Sequence, residues 1–357
     1  MNRSGAGDFR HQVHVPYGEM KAVIARILES RGMPAPRAER CAEIFAQSSL
    51  DGVYTHGVYR VAAFVKAIED GYVDVHAEPV LVDRLHLFER YDARFGPGML
   101  NASFAMERAM ELAAQWGFGI AALKNSNHWM RGGTYGWQAA EAGFIGICWT
   151  NTESVMPPWG AAEPKIGNNP LVIAVPRKSG PVVLDMAMSQ FSTGRLGLYL
   201  MQNAELPVPG GFDRNGELTR DPAAVLDSGR LLPAGFWKGS GLSVMLDLLA
   251  ALLAKGRSTA DIDRLRDGDA ASCYGCSQVF IAVDVKSVVG EAFAEALAED
   301  AVETLRRAAG EGGGRVRYPG EQTLRIRSEN LQNGIPVDAE KWREIQNLLA
   351  GGKKSGG

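Results

Sequence analysis

The run Asn125-Ser-Asn-His-Trp-Met-Arg-Gly-Gly-Thr-Tyr-Gly136 packs an imidazole, a guanidinium, two carboxamides and three glycines together. Glycine weakens helices and strands alike, so this mixture suits a loop that carries backbone and polar side chains up to a ligand. Tyr54-Thr-His-Gly-Val-Tyr-Arg60 repeats it, and the two segments hold two of the six histidines in the chain. An imidazole exchanges a proton near neutral pH, and a guanidinium grips a carboxylate by two parallel hydrogen bonds. His56 is therefore a candidate for donating or accepting a proton. Arg60 and His128, with Thr55 and Arg131 beside the two histidines, are candidates for holding a carboxylated or polyhydroxylated small molecule.

Asp185 ends the apolar run Val182-Val-Leu-Asp-Met186. A buried carboxylate needs a partner, so it either pairs with a His or Lys or takes a ligand hydroxyl. Trp237-Lys-Gly-Ser-Gly241 offers a flat ring, a cation and glycines immediately before an apolar helix. That suits a phosphate or adenine contact, or an ordinary helix cap. Pro319-Gly-Glu321 is compatible with a turn or a site. Neither G-x-G-x-x-G nor a Walker A sequence occurs, which argues against a Rossmann cofactor domain. Cys41 falls in a helical pattern and Cys148 in an apolar strand pattern. Cys273-Tyr-Gly-Cys276 has redox or zinc spacing without a second ligand pair nearby, so the cysteines read as structural thiols and no metal is expected.

The elements that position these residues follow from periodicity. Three-and-four spacing predicts helices over Tyr17–Arg31 and Ala35–Ser48, and a third from about His56 to Asp70 with His56 and Arg60 on one face. Further helices are expected at Leu100–Trp116, Thr134–Ala142, Gly241–Lys255, Glu291–Ala309 and Ala339–Leu349. Strands are expected at Gly119–Leu123, Ile145–Trp149, Leu171–Val175, Val182–Leu184 and Val279–Val285. Gly210–Pro233 reads as a long polar connection that could serve as a lid. Such a mixture gives an α/β (mixed α+β) enzyme.

The 357 residues allow one large or two ordinary domains. The division expected is a flexible leader over 1–14, a helical region over 15–75 packed with a C-terminal helix over 336–350, a cofactor- and substrate-binding region over 76–335, and a flexible tail over 351–357. Hydrophobic residues make up 46% and charged residues 22% of the chain, the globular average. A net charge of −3 gives no reason to expect nucleic acid or anionic lipid as a partner. No apolar run looks long enough to span a bilayer, and the first residues lack the apolar stretch of a signal peptide. A cytoplasmic location is expected.

Taken in order, several segments resemble the malate/L-lactate dehydrogenase family of NAD(P)-dependent oxidoreductases. They are Asp51-Gly-Val-Tyr-Thr-His-Gly57, Asn127-His-Trp-Met-Arg-Gly-Gly133, Trp149-Thr-Asn151, Pro157-Pro-Trp-Gly160, Ile166-Gly-Asn-Asn-Pro170, Asp185-Met-Ala-Met188, Gly235-Phe-Trp-Lys-Gly-Ser-Gly241 and Tyr318-Pro-Gly-Glu321. The resemblance implies a non-Rossmann NAD(P)-binding fold with a mixed sheet. It also implies NADH, with NADPH as the other option, reducing an α-keto acid while His56 donates the proton and Asp185 orients a polar partner. Cofactor contacts carry over to Pro181, Val182, Val183, Leu184, Asp185, Met186 and Ala187, to Trp237 and Lys238, and to Gly320, Glu321 and Gln322. A homodimer with its active site near the subunit interface is implied as well.

Asn127 to Gly133 followed by Tyr135-Gly-Trp-Gln-Ala-Ala-Glu141 is similar to the subgroup that reduces a polyhydroxylated diketo acid. Thr55 replaces a common serine and keeps its hydroxyl, Ala187 replaces a hydroxyl residue, and Tyr59 replaces an asparagine where it could reshape the substrate pocket. Competing substrates are malate, lactate, ureidoglycolate and piperideine-2-carboxylate. A sugar-acid binding protein is the reading from outside enzymology, and it would have no use for His56 as a donor or for Trp237 and Lys238.

Overall fold

Ala121, Leu123, Phe280 and Ala282 turn to one side of a sheet, while Ala122 and Val279 turn to the other. This is the period-two alternation of strands covered on both faces. The computed structural model describes residues 11–265, 274–308 and 316–350. Its main sheet has seven strands in the order β2 (Val80–Leu85), β3 (Phe88–Asp92), β4 (Phe118–Ser126), β10 (Cys276–Asp284), β5 (Phe144–Thr150), β6 (Leu171–Val175), β7 (Val182–Met186). Only β3 and β4 run parallel; every other neighbour in this sheet is antiparallel. A doubly wound nucleotide-binding sheet is mostly parallel, so the mixed sheet is the non-Rossmann architecture expected.

Helices α4 (Gly98–Trp116) and α5 (Gly133–Glu141) cover one face of the sheet, and α8 (Trp237–Ala254) covers the other. A second core joins α1 (Tyr17–Glu29), α2 (Ala35–Leu50) and α3 (Val61–Glu69) to the chain's far end. There β1 (Gln12–Val15) pairs antiparallel with β11 (Ile335–Asp338), and α13 (Ala339–Ala350) adds Trp342 and Ile345. The remaining elements are α6 (Thr193–Met201), β8 (Gly211–Phe212), β9 (Leu218–Thr219), α7 (Pro222–Ser228), α9 (Thr259–Leu265), α10 (Val285–Val288), α11 (Glu291–Arg307) and α12 (Glu321–Asn333).

Five expectations change. Residues 12–15 form β1 instead of belonging to a free leader, because β11 supplies the ladder partner; residues 1–10 and 351–357 lie outside the described residues, as does Cys273. The third helix begins at Val61, not near His56. The 210–233 connection contains β8, β9 and α7, held by buried Leu231 and Val225. The β2–β3 hairpin was not expected, since β2 is an edge strand exposed on both faces and has no alternation to betray it. Helix α8 has the length and apolarity of a membrane span by composition, yet it lies on the sheet, where its Asp247 accepts from Asn151 Nδ2 and the Thr259 amide, each at 2.8 Å.

Tyr59 ties the two ends of the N-terminal core, its hydroxyl accepting from the Asp338 amide at 3.0 Å. Tyr59→Phe leaves that amide without its acceptor and should lower unfolding free energy by about 1 kcal/mol. Urea titration reads this directly, and an unchanged midpoint would remove Tyr59 from the tie.

Candidate active site

His56 and Arg60 sit on two successive 3-10 turns, Tyr54–His56 and Val58–Arg60, broken at Gly57. Gly57 lies against α2, where a Cβ would come within 2.9 Å of the Phe45 carbonyl. Ser49 Oγ donates to that carbonyl at 3.0 Å and accepts from the Val58 amide at 2.8 Å. The buried helix thus fixes the turn that carries His56. Thr55 Oγ1 lies 3.2 Å from His56 Nδ1, leaving Nε2 for chemistry.

The polar loop is pinned from below. Asn127 Nδ2 reaches the carbonyls of Tyr72, Phe95 and Gly96 at 3.0, 2.8 and 3.1 Å. His128 Nδ1 accepts from the Met130 amide at 3.0 Å, so its neutral ring carries the proton on Nε2. The His56 and His128 rings stack with centroids 5.7 Å apart. Burial lowers the His56 pKa to about 4; Asp185 pulls it up, while Arg60 and Arg131 push it down. His128 falls well below its ordinary value, by burial first and then by Arg60 and His56. Desolvation disfavours the charged imidazole in both.

Asp185, on β7, accepts from the Gly133 amide at 3.0 Å, at the start of α5. A Cβ on Gly133 would stand 2.6 Å from that oxygen, so only glycine allows the contact. The helix dipole favours the carboxylate there. Arg131 Nε lies 3.6 Å from Asp185, and its Nη1 is bonded to Asp51. Asp51 also takes Arg327 through Nε at 2.7 Å and Nη2 at 3.0 Å. Arg327 in turn lies over the Trp137 ring at 4.6 Å. The side chains of Asp51 and Arg131 are only 1% and 4% exposed, so the centre of this ladder is sealed from water, while Asp185 and Arg327 at its two ends are 28% and 21% exposed.

A cavity of about 860 Å³ collects His56, Arg60, His128, Thr55, Arg131 and Asp185, with Met186 and Ala187. A second, of about 410 Å³, is lined by Val183, Leu184, Asp185 and Gly320, and the two share Val53, Arg131 and Asp185. Gly320 has φ +95, and a Cβ there would be 3.1 Å from the Val183 amide and 3.4 Å from the Pro181 carbonyl. Val182 is spent on the ladder with Val175. Glu321 and Gln322 open α12 and engage Arg306 and Arg317 at 3.0 and 2.6 Å. Trp237 and Lys238 form the first turn of α8 instead of preceding it, and neither lines these cavities. Tyr59 does not line them either: its hydroxyl is turned to β11, so it cannot reshape the pocket directly.

Sequence reasoning missed Gln278, Thr150, Thr152, Asn168 and Ser189, and the start of α6 from Ser192 to Arg195, all on the wall of the larger cavity. Gln278 left a trace, a lone carboxamide within the apolar strand pattern before Val279-Phe-Ile-Ala-Val283. The α6 wall left little, because only Leu196 of that helix is fully buried.

Two outcomes follow from this electrostatic arrangement. Asp51→Asn leaves Arg131 and Arg327 facing each other without their carboxylate, and unfolding free energy should drop by about 3–5 kcal/mol; a change under about 1 kcal/mol in urea would show that the ladder is not what holds these elements. The lowered His56 pKa has a definite sign. Below pH 6.5 the unfolded chain takes up a proton that the folded chain refuses until about pH 4, so stability present at neutral pH is lost on acidification. His56→Gln should therefore lose less stability than the parent between pH 7 and pH 4, and parallel curves would contradict the shift.

The malate/L-lactate dehydrogenase family model matches residues 15–346. The chain is 44% identical to 2,3-diketo-L-gulonate reductase of Citrobacter koseri over 338 residues, covering 94% of this chain and 99% of that protein. Its fold is similar to malate dehydrogenase from Pyrococcus horikoshii, with a TM-score of 0.88 at 27% identity over all of both chains. It is similar also to delta1-piperideine-2-carboxylate reductase from Pseudomonas syringae, with a TM-score of 0.84 at 30% identity over 94% of this chain and 99% of that one. With a mixed sheet, paired histidines and an aspartate shared by two adjoining cavities, the chain belongs to the malate/L-lactate dehydrogenase family of nicotinamide-dependent oxidoreductases.

Proposed function

We propose that this protein reduces the carbonyl next to the carboxylate of an α-keto acid, with 2,3-diketo-L-gulonate going to 3-keto-L-gulonate. NADH is the proposed reductant, with NADPH as the alternative. The observation that carries the reading is the stacked His56–His128 pair beside Arg60, in the cavity that also holds Asp185. The joined cavities, with Gly320 letting the backbone come close, suit an extended dinucleotide. When bound, a reduced nicotinamide supplies the hydride. His56 Nε2 gives its proton to the oxygen of that carbonyl, His128 donates from Nε2 to a neighbouring oxygen, and Arg60 holds the carboxylate. Asp185, fixed by Gly133 and Arg131, offsets part of the positive field around His56 and favours its protonated form.

The proposal includes a second copy of the chain. Leu242, Met245, Leu248, Leu249 and Leu252 of α8 are 41–69% exposed, a contiguous apolar stripe of the kind that marks an interface. The cofactor role of Trp237 and Lys238, at the head of this helix, would then be completed by a neighbouring subunit. No nucleic acid or membrane partner is proposed, and a cytoplasmic location is proposed from composition and charge.

NADH oxidation followed near 340 nm with 2,3-diketo-L-gulonate, pyruvate, oxaloacetate and piperideine-2-carboxylate tests the reaction. Turnover should concentrate on the diketo acid, and His56→Ala should lose about 10²–10⁴-fold; activity surviving in the variant rules out His56 as donor. With the free-enzyme pKa at about 4, kcat/KM for reduction should fall steadily as pH rises through neutrality, since less His56 is protonated. The reverse oxidation, which needs the neutral ring, should stay flat there. In light scattering, Leu248→Asp with Leu252→Asp should halve the particle mass; a parent chain already monomeric would end the dimer proposal.

A further inference from the structure

Resting on the reductase reading above, we propose that Gln278 sets the substrate class: its Oε1 accepts a hydrogen bond from a hydroxyl of a polyhydroxylated keto acid. Gln278 is fully buried on the central strand β10, paired with Thr150 on one side and Leu123 on the other. It lines the same cavity as His56, His128 and Thr150. Its amide orientation follows from its neighbour. The Asn127 carbonyl, 3.3 Å from Nε2, can only accept, so the NH₂ group must face it and Oε1 faces away. Oε1 is buried and has no hydrogen-bond partner among the described residues.

Leaving such an acceptor unpaired costs about 1–3 kcal/mol, here on a strand that continues through the buried apolar residues Val279 and Phe280. A ligand that brings a donor removes that cost, and one that brings only acceptors does not. The carboxylate and ketone of pyruvate or oxaloacetate only accept. A hydroxylated chain donates. Ser189, whose Oγ is also buried without a partner among the described residues and lines the same cavity, can donate or accept and so selects neither class. Gln278 lines the cavity that His56 and His128 also line, so the hydroxyl it would hold belongs to the same bound molecule. Discrimination of this kind is steep because the penalty falls on the wrong substrate.

The test compares Gln278→Met, which keeps length and removes the acceptor, with the parent enzyme. The variant should lose about tenfold to a hundredfold in kcat/KM on 2,3-diketo-L-gulonate. Its kcat/KM on pyruvate should hold or rise, because no acceptor is left unpaired beside that substrate, and its NADH affinity, read by fluorescence quenching, should be unchanged. Equal losses on both substrates would overturn the proposal. So would weakened NADH binding, which would assign Oε1 to the carboxamide of the cofactor. The parent enzyme decides the matter even if the variant does not fold. It should prefer 2,3-diketo-L-gulonate over pyruvate, and equal use of both would discard the role of Gln278 while leaving the reductase reading intact. A parent enzyme that turns over no keto acid would end both.

Discussion

One carboxylate holds the molecule's separate parts together at the place where the chemistry lies. Asp51, at the end of α2, is bound by Arg327 from α12 and by Arg131 from the polar loop, and Arg131 continues to Asp185 on β7. Four segments far apart in sequence meet through these charges, and the two at the centre, Asp51 and Arg131, are away from water. A buried ion pair gains little over an apolar pair in stability, but losing one partner is costly because the other charge stays behind. The ladder therefore acts as a constraint on geometry. If Asp51 moves, Arg131 moves, and Asp185 loses one of the two groups that aim it.

The same desolvation governs the proton chemistry. Burial drives both histidines toward the neutral form, and Arg60 and Arg131 push in the same direction. Only Asp185 opposes them at His56. At His56 two guanidiniums therefore act against one carboxylate. A substrate carboxylate placed beside Arg60 cancels part of that field and makes a protonated His56 less costly. Binding and proton supply become two consequences of one charge.

The sheet explains why the site can be both rigid and polar. Strand β10 arrives from late in the chain and inserts between β4 and β5, which lets Gln278 stand beneath the loop that follows β4. Gly57, Gly133 and Gly320 mark close approaches where a side chain would strike backbone or a carboxylate. The polar atoms are presented on strands and pinned turns, so their directions are set before any ligand arrives.

Much of this was legible in the order of residues. Helices with one apolar face, such as α1 and α2, announce themselves by spacing. The two His/Arg clusters stand out because glycine and imidazole together serve no regular element. The ordered motifs carried the family and the nicotinamide cofactor. What stayed hidden had no local signal. Edge strand β2 is exposed on both faces, α12 buries little beyond Ile326 and Asn330, and β1 is a strand only because β11 lies beside it. The sequence by itself determined which residues could do acid–base and carboxylate chemistry, since those capacities belong to the side chains. Only the tertiary structure decided which of them share a cavity, that Arg131 is bound to Asp51, that Tyr59 turns to Asp338, and that Gln278 keeps an unpaired oxygen among the described residues. Distance, burial and partner are properties of the packed whole, and no residue carries them alone.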